Sequence, residues 1–358
     1  MDKIRVLVVE DSLTVRQRLL EILASDPQIE LVGEADDGKR AIEICQDARP
    51  DIVTMDMMLP VMTGLAATEY IMAHCPTPIL VVSSSVNRGE LFRTYDALAA
   101  GAVDVLEKPT GAEPDGVWEH KFISTIKLVS RIRVITHPRG RLKALGRPAP
   151  DPPPRPIDLR ARNRGCELVA IGASTGGPAA IVEILRALPA TFRLPVLLVL
   201  HIAEPFGAAF ADWLDAQTMR RVALANDGDP IAALAGRVVM APAGRHLVAR
   251  GGRLRLTCDP ERHSCRPSVD ALFESVAEDY GASTAGCLLT GMGRDGALGL
   301  LKIRQAGGTT IAQDETTSVV YGMPREAVSL GAATHILRLD EIGPALASLP
   351  VAEVEARR

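Results

Sequence analysis

The chain has 358 residues, of which 47% are hydrophobic and 23% are charged, and its formal net charge is -4. A chain of this length exceeds the usual size of one hydrophobic core, so it predicts a globular protein of two domains. The small negative charge predicts no overall attraction to nucleic acid or to an anionic membrane. No stretch approaches the roughly 20 apolar residues of a membrane span.

The start of the chain, MDKIRVLVVED, reaches an acidic pair too soon for a signal peptide. The six cysteines are scattered and include no C-x-x-C pair, so neither disulfides nor a zinc site is expected. Reduced thiols in a chain with no predicted leader or membrane span predict a cytoplasmic protein.

Strand-like and helix-like segments alternate five times in the first 125 residues. The predicted strands are IRVLVV, IELVGEA, DIVTM, PILVVS and VDVLE. Between the first two, residues 13–24 place Val15, Leu19, Ile22 and Leu23 on one face of a helix. This alternation predicts a parallel sheet with helices on both faces.

The composition changes sharply between residues 138 and 165, where proline and arginine dominate and large apolar residues are almost absent. A basic segment can bind nucleic acid, but a solvated, semi-rigid spacer fits this composition better. We therefore predict one domain at 1–125, a linker at 126–165 that is rich in Pro and Arg from about residue 138, and a second domain at 166–350.

The second domain again follows an α/β pattern. Its predicted strands are ELVAI, PVLLVL, RVVMA, TAGCLL and TTIAQ. Residues 269–280 carry the apolar spacing of a helix, and HLVARGGRLRLT predicts a hairpin that turns at Gly251 and Gly252. We expect a mostly parallel sheet.

Polar side chains collect at the predicted carboxyl ends of the N-terminal strands, where parallel sheets bind ligands. Glu10 and Asp11 follow the first strand and Asp56 follows the third. Three carboxylates at one edge repel each other unless a cation joins them, and an oxygen-rich site open to water suits Mg²⁺. Ser83 and Lys108 follow two further strands, and both groups can bind phosphoryl oxygens.

This half resembles the receiver domain of response regulators over its whole length, which implies a flavodoxin-like parallel five-stranded sheet. The resemblance implies that Asp56 accepts a phosphoryl group from a sensor histidine kinase. It also implies that Glu10 and Asp11 are the acids beside the magnesium ion, which Asp56 and the backbone carbonyl of Met58 also bind.

By the same resemblance, Ser83 is the switch hydroxyl and Lys108 is the partner of the phosphate. Thr63 stands where receivers commonly carry an aspartate. We expect this departure to affect the loop more than the chemistry.

The sequence GASTG at 172–176 fits the G-x-S-x-G pattern, in which a sharp strand-to-helix turn exposes a serine hydroxyl. Pro178 suits the first turn of the helix that follows. The turn alone leaves three interpretations of Ser174 open: a nucleophile, a helix cap, or part of a phosphate-binding loop.

A serine esterase also needs a base and an acid that orients the base. His201 follows the apolar strand next to the one that delivers Ser174, and Asp295 lies in LLTGMGRDGA after a third strand. Three parallel strand ends would present Ser, His and Asp at one edge. Asp270 is a second carboxylate that could reach the same histidine. The order Ser–His–Asp disfavours an α/β-hydrolase, in which the acid precedes the histidine.

Five features in order resemble the catalytic domain of chemotaxis protein-glutamate methylesterases: GASTGGP, His201 at a strand end, RPSVDALF, LLTGMGRDGA and VVYGMPREAV. The resemblance implies hydrolysis of glutamate methyl esters on methyl-accepting chemoreceptors, often with deamidation of receptor glutamines. We expect no metal or other cofactor in the esterase site. The backbone N–H groups of Thr175 and Met292 are candidates for binding the oxyanion.

One segment departs from that family. LHIAEPF surrounds His201 where the family usually reads close to QHMPPGF. We expect Leu200 and Glu204 to line the rim of the site and to alter receptor preference. The alternative function is a regulator or adaptor gated by phosphorylation without catalysis; the sequence shows no helix-turn-helix for binding DNA.

Overall fold

The computed structural model describes residues 3–84, 88–109, 114, 116–132, 134, 165–202 and 206–352. The chain divides into two compact units, residues 1–151 and residues 152–358. The Pro/Arg-rich segment predicted from residue 138 lies almost entirely outside the described residues. No helix in the described ranges is both long and apolar enough to cross a membrane.

The N-terminal unit is built from five βα repeats. Its strands are β1 (Ile4–Val9), β2 (Ile29–Ala35), β3 (Ile52–Met55), β4 (Ile79–Ser83) and β5 (Asp104–Glu107). Its helices are α1 (Leu13–Ala24), α2 (Gly38–Ala48), α3 (Gly64–His74), α4 (Arg88–Ala99) and α5 (Val117–Val129). The sheet order is β2-β1-β3-β4-β5 with parallel pairs, which confirms the predicted five-stranded sheet. Helix α5 runs past the predicted boundary at residue 125.

Apolar periodicity explains these elements. The inner part of β1 and all of β3 are buried, as in a parallel strand that is covered on both faces. In α1 the predicted apolar face buries Leu19, Ile22 and Leu23. Thr63 accepts a hydrogen bond from the Ala66 amide at 3.3 Å and caps α3, so this departure from the receiver pattern supplies a helix cap.

The C-terminal unit is a second α/β fold. Its strands are β6 (Leu168–Ala173), β7 (Val196–Leu200), β8 (Val222–Leu224), β9 (Val238–Met240), β10 (His246–Arg250), β11 (Arg253–Thr257), β12 (Thr284–Leu288), β13 (Thr309–Gln313) and β14 (His335–Leu337). Its α-helices are α6 (Gly177–Ala187), α7 (Phe206–Gln217), α8 (Val269–Tyr280), α9 (Ala297–Gln305), α10 (Met323–Ser329) and α11 (Leu339–Ala347).

Seven of these strands form one sheet in the order β14-β13-β12-β6-β7-β9-β8, with parallel pairs throughout. The two edge strands, β8 and β14, were not among the predicted strands. Each has three residues and a partly exposed surface, so neither produces an apolar run in the sequence. The predicted hairpin is confirmed as the antiparallel pair β10–β11.

Strand order decides which loops meet in this unit. Strand β6 lies between β12 and β7, and all three run in the same direction. Their carboxyl ends therefore open at one edge of the sheet. The loops that carry Ser174, His201 and Asp295 begin at this edge.

Candidate functional sites

Ser174 occupies a sharp turn between β6 and α6. Its amide donates to the Thr290 carbonyl at 3.0 Å, and the Gly177 amide donates to the Ser174 carbonyl at 2.7 Å. Gly176 has φ +77°, and a Cβ there would lie 2.6 Å from the Cβ of Val319, so the turn requires glycine.

The side chain of Ser174 is half-buried, and it makes no hydrogen bond in the part of the chain that the structure describes. The N-cap of α6 is Gly176, which has no side-chain cap bond, so Ser174 does not cap this helix. The loop of Gly291 packs directly on the serine: a Cβ at Gly291 would lie 2.7 Å from the Cβ of Ser174. The structure thus leaves this hydroxyl available for chemistry.

His201 follows β7 directly beside Ser174. Ala173 and Leu200 are register partners, and the His201 amide donates to the Ala173 carbonyl at 3.0 Å. The imidazole Nε2 lies 2.9 Å from Oδ2 of Asp295. The structure therefore brings all three predicted residues to one edge, with a direct bond between the histidine and the aspartate.

Asp295 is buried and fully hydrogen-bonded. Besides His201, its oxygens accept from the Ser268 hydroxyl at 2.7 Å and from the amides of Val269 and Asp270 at 2.7 and 3.0 Å. Those amides belong to the start of α8, where the helix presents partial positive charge. Burial opposes ionisation, but the bond from His201, the charge of His201 and these donors hold the pKa of Asp295 below its usual range.

Asp270, the second carboxylate considered for this histidine, bonds elsewhere. Its Oδ2 lies 3.1 Å from Nε2 of His263, and its Oδ1 accepts from the Gly299 amide at 2.7 Å. Asp295 is therefore the carboxylate that bonds His201, whereas Asp270 bonds His263.

Cys265 also contacts the histidine, which the sequence did not predict. Its Sγ lies 3.8 Å from Nδ1 of His201, on the opposite side of the ring from Asp295. Burial alone would lower the pKa of His201, but the bond with Asp295 and the contact with Cys265 outweigh it and raise the pKa to about 9. The two residues are 64 positions apart and Cys265 belongs to no cysteine motif, so the sequence spacing could not predict this contact.

The two candidate oxyanion donors lie in loops that border Ser174. Thr175 is the next residue, and its carbonyl accepts from the Thr290 hydroxyl at 3.0 Å. Met292 follows Gly291 and has a half-exposed side chain. Within the described residues, neither amide donates a hydrogen bond.

Two buried polar residues that the sequence did not single out hold this edge in place. Thr290 bonds the Ser174 turn through its carbonyl and hydroxyl, and its own amide donates to Oε1 of Gln313 at 2.8 Å. Thr290 lies inside the motif LLTGMGRDGA, and Gln313 is the last residue of the predicted strand TTIAQ. Their positions in these two segments could have marked both residues as candidates.

The expectation that Leu200 lines the rim is wrong. Leu200 is 1% exposed, and a Cβ on Gly177 would lie 2.8 Å from its Cδ1, so the side chain packs in the core against the start of α6. Ala203 and Glu204, two further departures in this segment, lie outside the described residues.

The N-terminal unit has its own cluster of charged residues at the carboxyl edge of its sheet. Lys108 Nζ lies 2.8 Å from Oε2 of Glu10 and 3.1 Å from Oδ2 of Asp56, and both carboxylates are buried. The carboxylate oxygens of Glu10, Asp11 and Asp56 lie within 4.8 Å of one another. The predicted acids and lysine are therefore together.

Burial raises the pKa values of Glu10 and Asp56, and Lys108 opposes both shifts. One ammonium group thus serves two buried carboxylates while Asp11 lies beside them exposed. A divalent cation suits such a cluster, because its ligand atoms are oxygens of the kind Mg²⁺ prefers. Met58, the expected backbone ligand, lies in the loop that follows Asp56, and its side chain is exposed.

The predicted switch hydroxyl contacts a different element. Ser83 is buried, and its Oγ donates to Oε1 of Glu90 at 2.9 Å and accepts from the Thr94 hydroxyl at 3.2 Å. Glu90 also accepts from the Ser84 amide and hydroxyl. Ser83 is thus hydrogen-bonded to two residues of α4. The sequence analysis did not identify Glu90 as a partner of Ser83.

Comparison with known proteins identifies both units. The family model described as CheB methylesterase matches residues 169–346, and the response regulator receiver domain model matches residues 6–114. A relative from Anaeromyxobacter dehalogenans is 44% identical over 97% of this chain and 97% of its own length. A relative from Geobacter metallireducens is 43% identical over 97% of this chain and 99% of its own. Both are named protein-glutamate methylesterase/protein-glutamine glutaminase.

The chain is also similar to two solved structures from Thermotoga maritima. The CheB methylesterase catalytic domain is 35% identical, covers 51% of this chain and 97% of its own, and superposes with a TM-score of 0.48. The CheB response regulator domain is 35% identical, covers 37% of this chain and 98% of its own, and has a TM-score of 0.33.

Proposed function

The chain belongs to the CheB methylesterase family, and from that premise we propose that it is a phosphorylation-regulated serine hydrolase of chemoreceptors. It hydrolyses glutamate methyl esters to glutamate and methanol, and it deamidates receptor glutamines with release of ammonia. The observation that carries the proposal is the His201–Asp295 pair at the strand end next to Ser174. We also propose that the protein works in the cytoplasm.

In the proposed mechanism Ser174 attacks the ester carbonyl. Asp295 already bonds Nε2 of His201, so the nitrogen that takes the serine proton is Nδ1. Asp295 fixes the tautomer and stabilises the imidazolium, which then gives the proton to departing methanol. Water attacks the acyl-enzyme through the same base and releases the glutamate carboxylate.

Two further groups support the transition state. The amides of Thr175 and Met292 are proposed to bind the developing oxyanion, an interaction that contributes about 3 kcal/mol in other serine hydrolases. The acid that supports His201 is already fully hydrogen-bonded. No metal or other cofactor has a part in this mechanism.

The receiver unit is proposed to regulate the esterase by phosphorylation of Asp56 from a sensor histidine kinase. Glu10, Asp11, Asp56 and the carbonyl of Met58 would hold Mg²⁺, which neutralises charge on the transferring phosphoryl group. Lys108 pairs with a phosphoryl oxygen. Ser83 leaves Glu90 to donate to another, so phosphorylation competes with a bond that exists in this structure.

Methanol release tests the proposal directly. Membranes carrying methylated chemoreceptors are incubated with the full chain, and methanol is measured over time against the Ser174→Ala variant. We expect the variant to lose activity by about 10⁴-fold or more. A regulator or adaptor without catalysis would instead give the same background methanol with both proteins.

A further inference from the structure

A tight turn holds Cys265 against the histidine. Arg262 and Cys265 exchange backbone hydrogen bonds at 3.2 and 2.9 Å, and His263 and Ser264 between them have φ of +52° and +59°. Two successive positive φ values are typical of a type I′ turn, whose geometry is closely defined. The turn therefore defines the backbone position of Cys265. The residue is half-buried, so solvent can still reach its thiol.

The distance between the two side chains suits a shared metal ion. Zinc binds thiolate sulfur at about 2.3 Å and imidazole nitrogen at about 2.0 Å, which in a tetrahedral site separates the two ligand atoms by about 3.6 Å. Sγ of Cys265 and Nδ1 of His201 are 3.8 Å apart. Both atoms could therefore bind one ion after a shift of a few tenths of an ångström.

The other side of the ring has the outer partner that metal-binding histidines need. A histidine that binds a metal through one nitrogen usually donates its other N–H to a carboxylate, which fixes the ring. Here Nε2 bonds Asp295 at 2.9 Å, and three further donors hold that carboxylate. Among the described residues, this is the one cluster of potential metal ligands that includes a cysteine.

We propose that Cys265 and His201 bind Zn²⁺, or a similar thiophilic divalent cation, and that the bound ion inhibits the esterase. The thiol of Cys265 and the protonated Nδ1 of His201 each lose a proton to solvent as the two bonds to the metal form, and water fills the remaining coordination positions. The ion occupies Nδ1, the nitrogen that must accept the proton of Ser174. Binding follows from the geometry of the two side chains, whereas inhibition also rests on the proposed role of His201.

Cobalt provides a readout of the site that does not depend on activity. The full chain is freed of metal and titrated with Co²⁺, whose bond to thiolate gives a near-ultraviolet charge-transfer absorption. We expect wild type to gain this band, Cys265→Ser to lack it, and Cys258→Ser to keep it. Cys258 is a matched control because it is an exposed free thiol of the same unit. An equal band in wild type and Cys265→Ser would overturn the site.

Zinc inhibition tests the consequence. Ester hydrolysis is measured with increasing Zn²⁺, and each variant is compared with its own rate in chelator. We expect Cys265→Ser to need at least ~10-fold more zinc than wild type and Cys258→Ser to match wild type. Equal zinc sensitivity in all three proteins would refute the inhibitory role. A wild-type chain without hydrolysis in chelator would refute the proposed function, while the cobalt titration would still decide the metal site.

Discussion

Asp56 and Asp295 are equally buried, at 2% exposure each, and both lie at the carboxyl edge of a parallel sheet. Their pKa values nevertheless move in opposite directions: burial raises the pKa of Asp56, whereas the partners of Asp295 lower its pKa. Asp56 shares one lysine with Glu10, while Asp295 receives hydrogen bonds from a histidine, a hydroxyl and two amides of a helix start.

The difference shows that burial alone does not decide the ionisation of a carboxylate, because the hydrogen-bond donors around it can outweigh desolvation. The receiver cluster has one ammonium group for three carboxylates, which suits the proposed binding of a cation beside the phosphoryl group. In the esterase site the carboxylate of Asp295 already has its hydrogen-bond donors, which suits an acid that is proposed to stay ionised during catalysis.

The largest test of this contrast is Asp295→Asn against Asp270→Asn. Replacing the acid that orients a catalytic histidine lowers turnover by about 10⁴-fold in another serine hydrolase. We expect a loss of that order for Asp295→Asn and a change within about tenfold for Asp270→Asn, because Asp270 bonds His263 instead. Turnover of a small ester, measured on variants with wild-type circular dichroism, distinguishes them. Equal losses would show that both carboxylates act on His201.

The second test is the pH dependence of the esterase. His201 must be neutral to accept a proton, and its pKa lies at about 9, so activity should rise with pH by about tenfold per unit below that value and level off above it. The contact with Cys265 contributes to the raised pKa, so Cys265→Ser should move the profile to lower pH. kcat/KM between pH 6 and 10, measured in chelator, gives both curves. Superimposed profiles would contradict the influence of the thiol on the base.

The third test concerns the receiver. With Mg²⁺ and a small phosphodonor, the wild-type chain should hydrolyse methylated receptors faster than it does without them. Asp56→Asn should lose this increment and keep the basal rate, because Asp56 is the proposed phosphorylation site and has no part in the proposed mechanism of ester hydrolysis. Chelation of magnesium should have the same effect as the substitution. Activation that persists in Asp56→Asn would place the phosphorylated residue elsewhere.

The smallest expected effect is that of Ser268→Ala. Ser268 caps α8 through the Ala271 amide and donates to Asp295, which keeps its other donors in the variant. We expect a loss of about 1 kcal/mol in the free energy of unfolding, from the missing cap, and only a few-fold loss of turnover. Denaturant unfolding and ester hydrolysis measure the two effects. A loss of turnover as large as that of Asp295→Asn would mean that the hydroxyl bond, rather than the helix amides, supports the acid.

Local periodicity in the sequence was enough to predict the two sheets and the loops that follow their strands. The apolar runs of β1 to β5 and of β6, β7, β9, β12 and β13 are visible because strands covered on both faces need apolar residues throughout. Parallel strands open at one edge, so Ser174, His201 and Asp295 could be assigned to one site from their places after strands. The strands β8 and β14 were not predicted, because an edge strand of three residues is too short to show an apolar run or an alternation.

Tertiary structure alone decided the partners of each side chain. Asp295 rather than Asp270 bonds His201 across 94 residues of sequence, because the start of α8 directs the two carboxylates to different histidines. The contact of Cys265 with His201 and the hydrogen bond from Ser83 to Glu90 were likewise visible only in the tertiary structure. Strand periodicity fixes which edge a residue reaches, whereas the direction of its side chain depends on turns and helix starts that pack against that edge from distant parts of the chain.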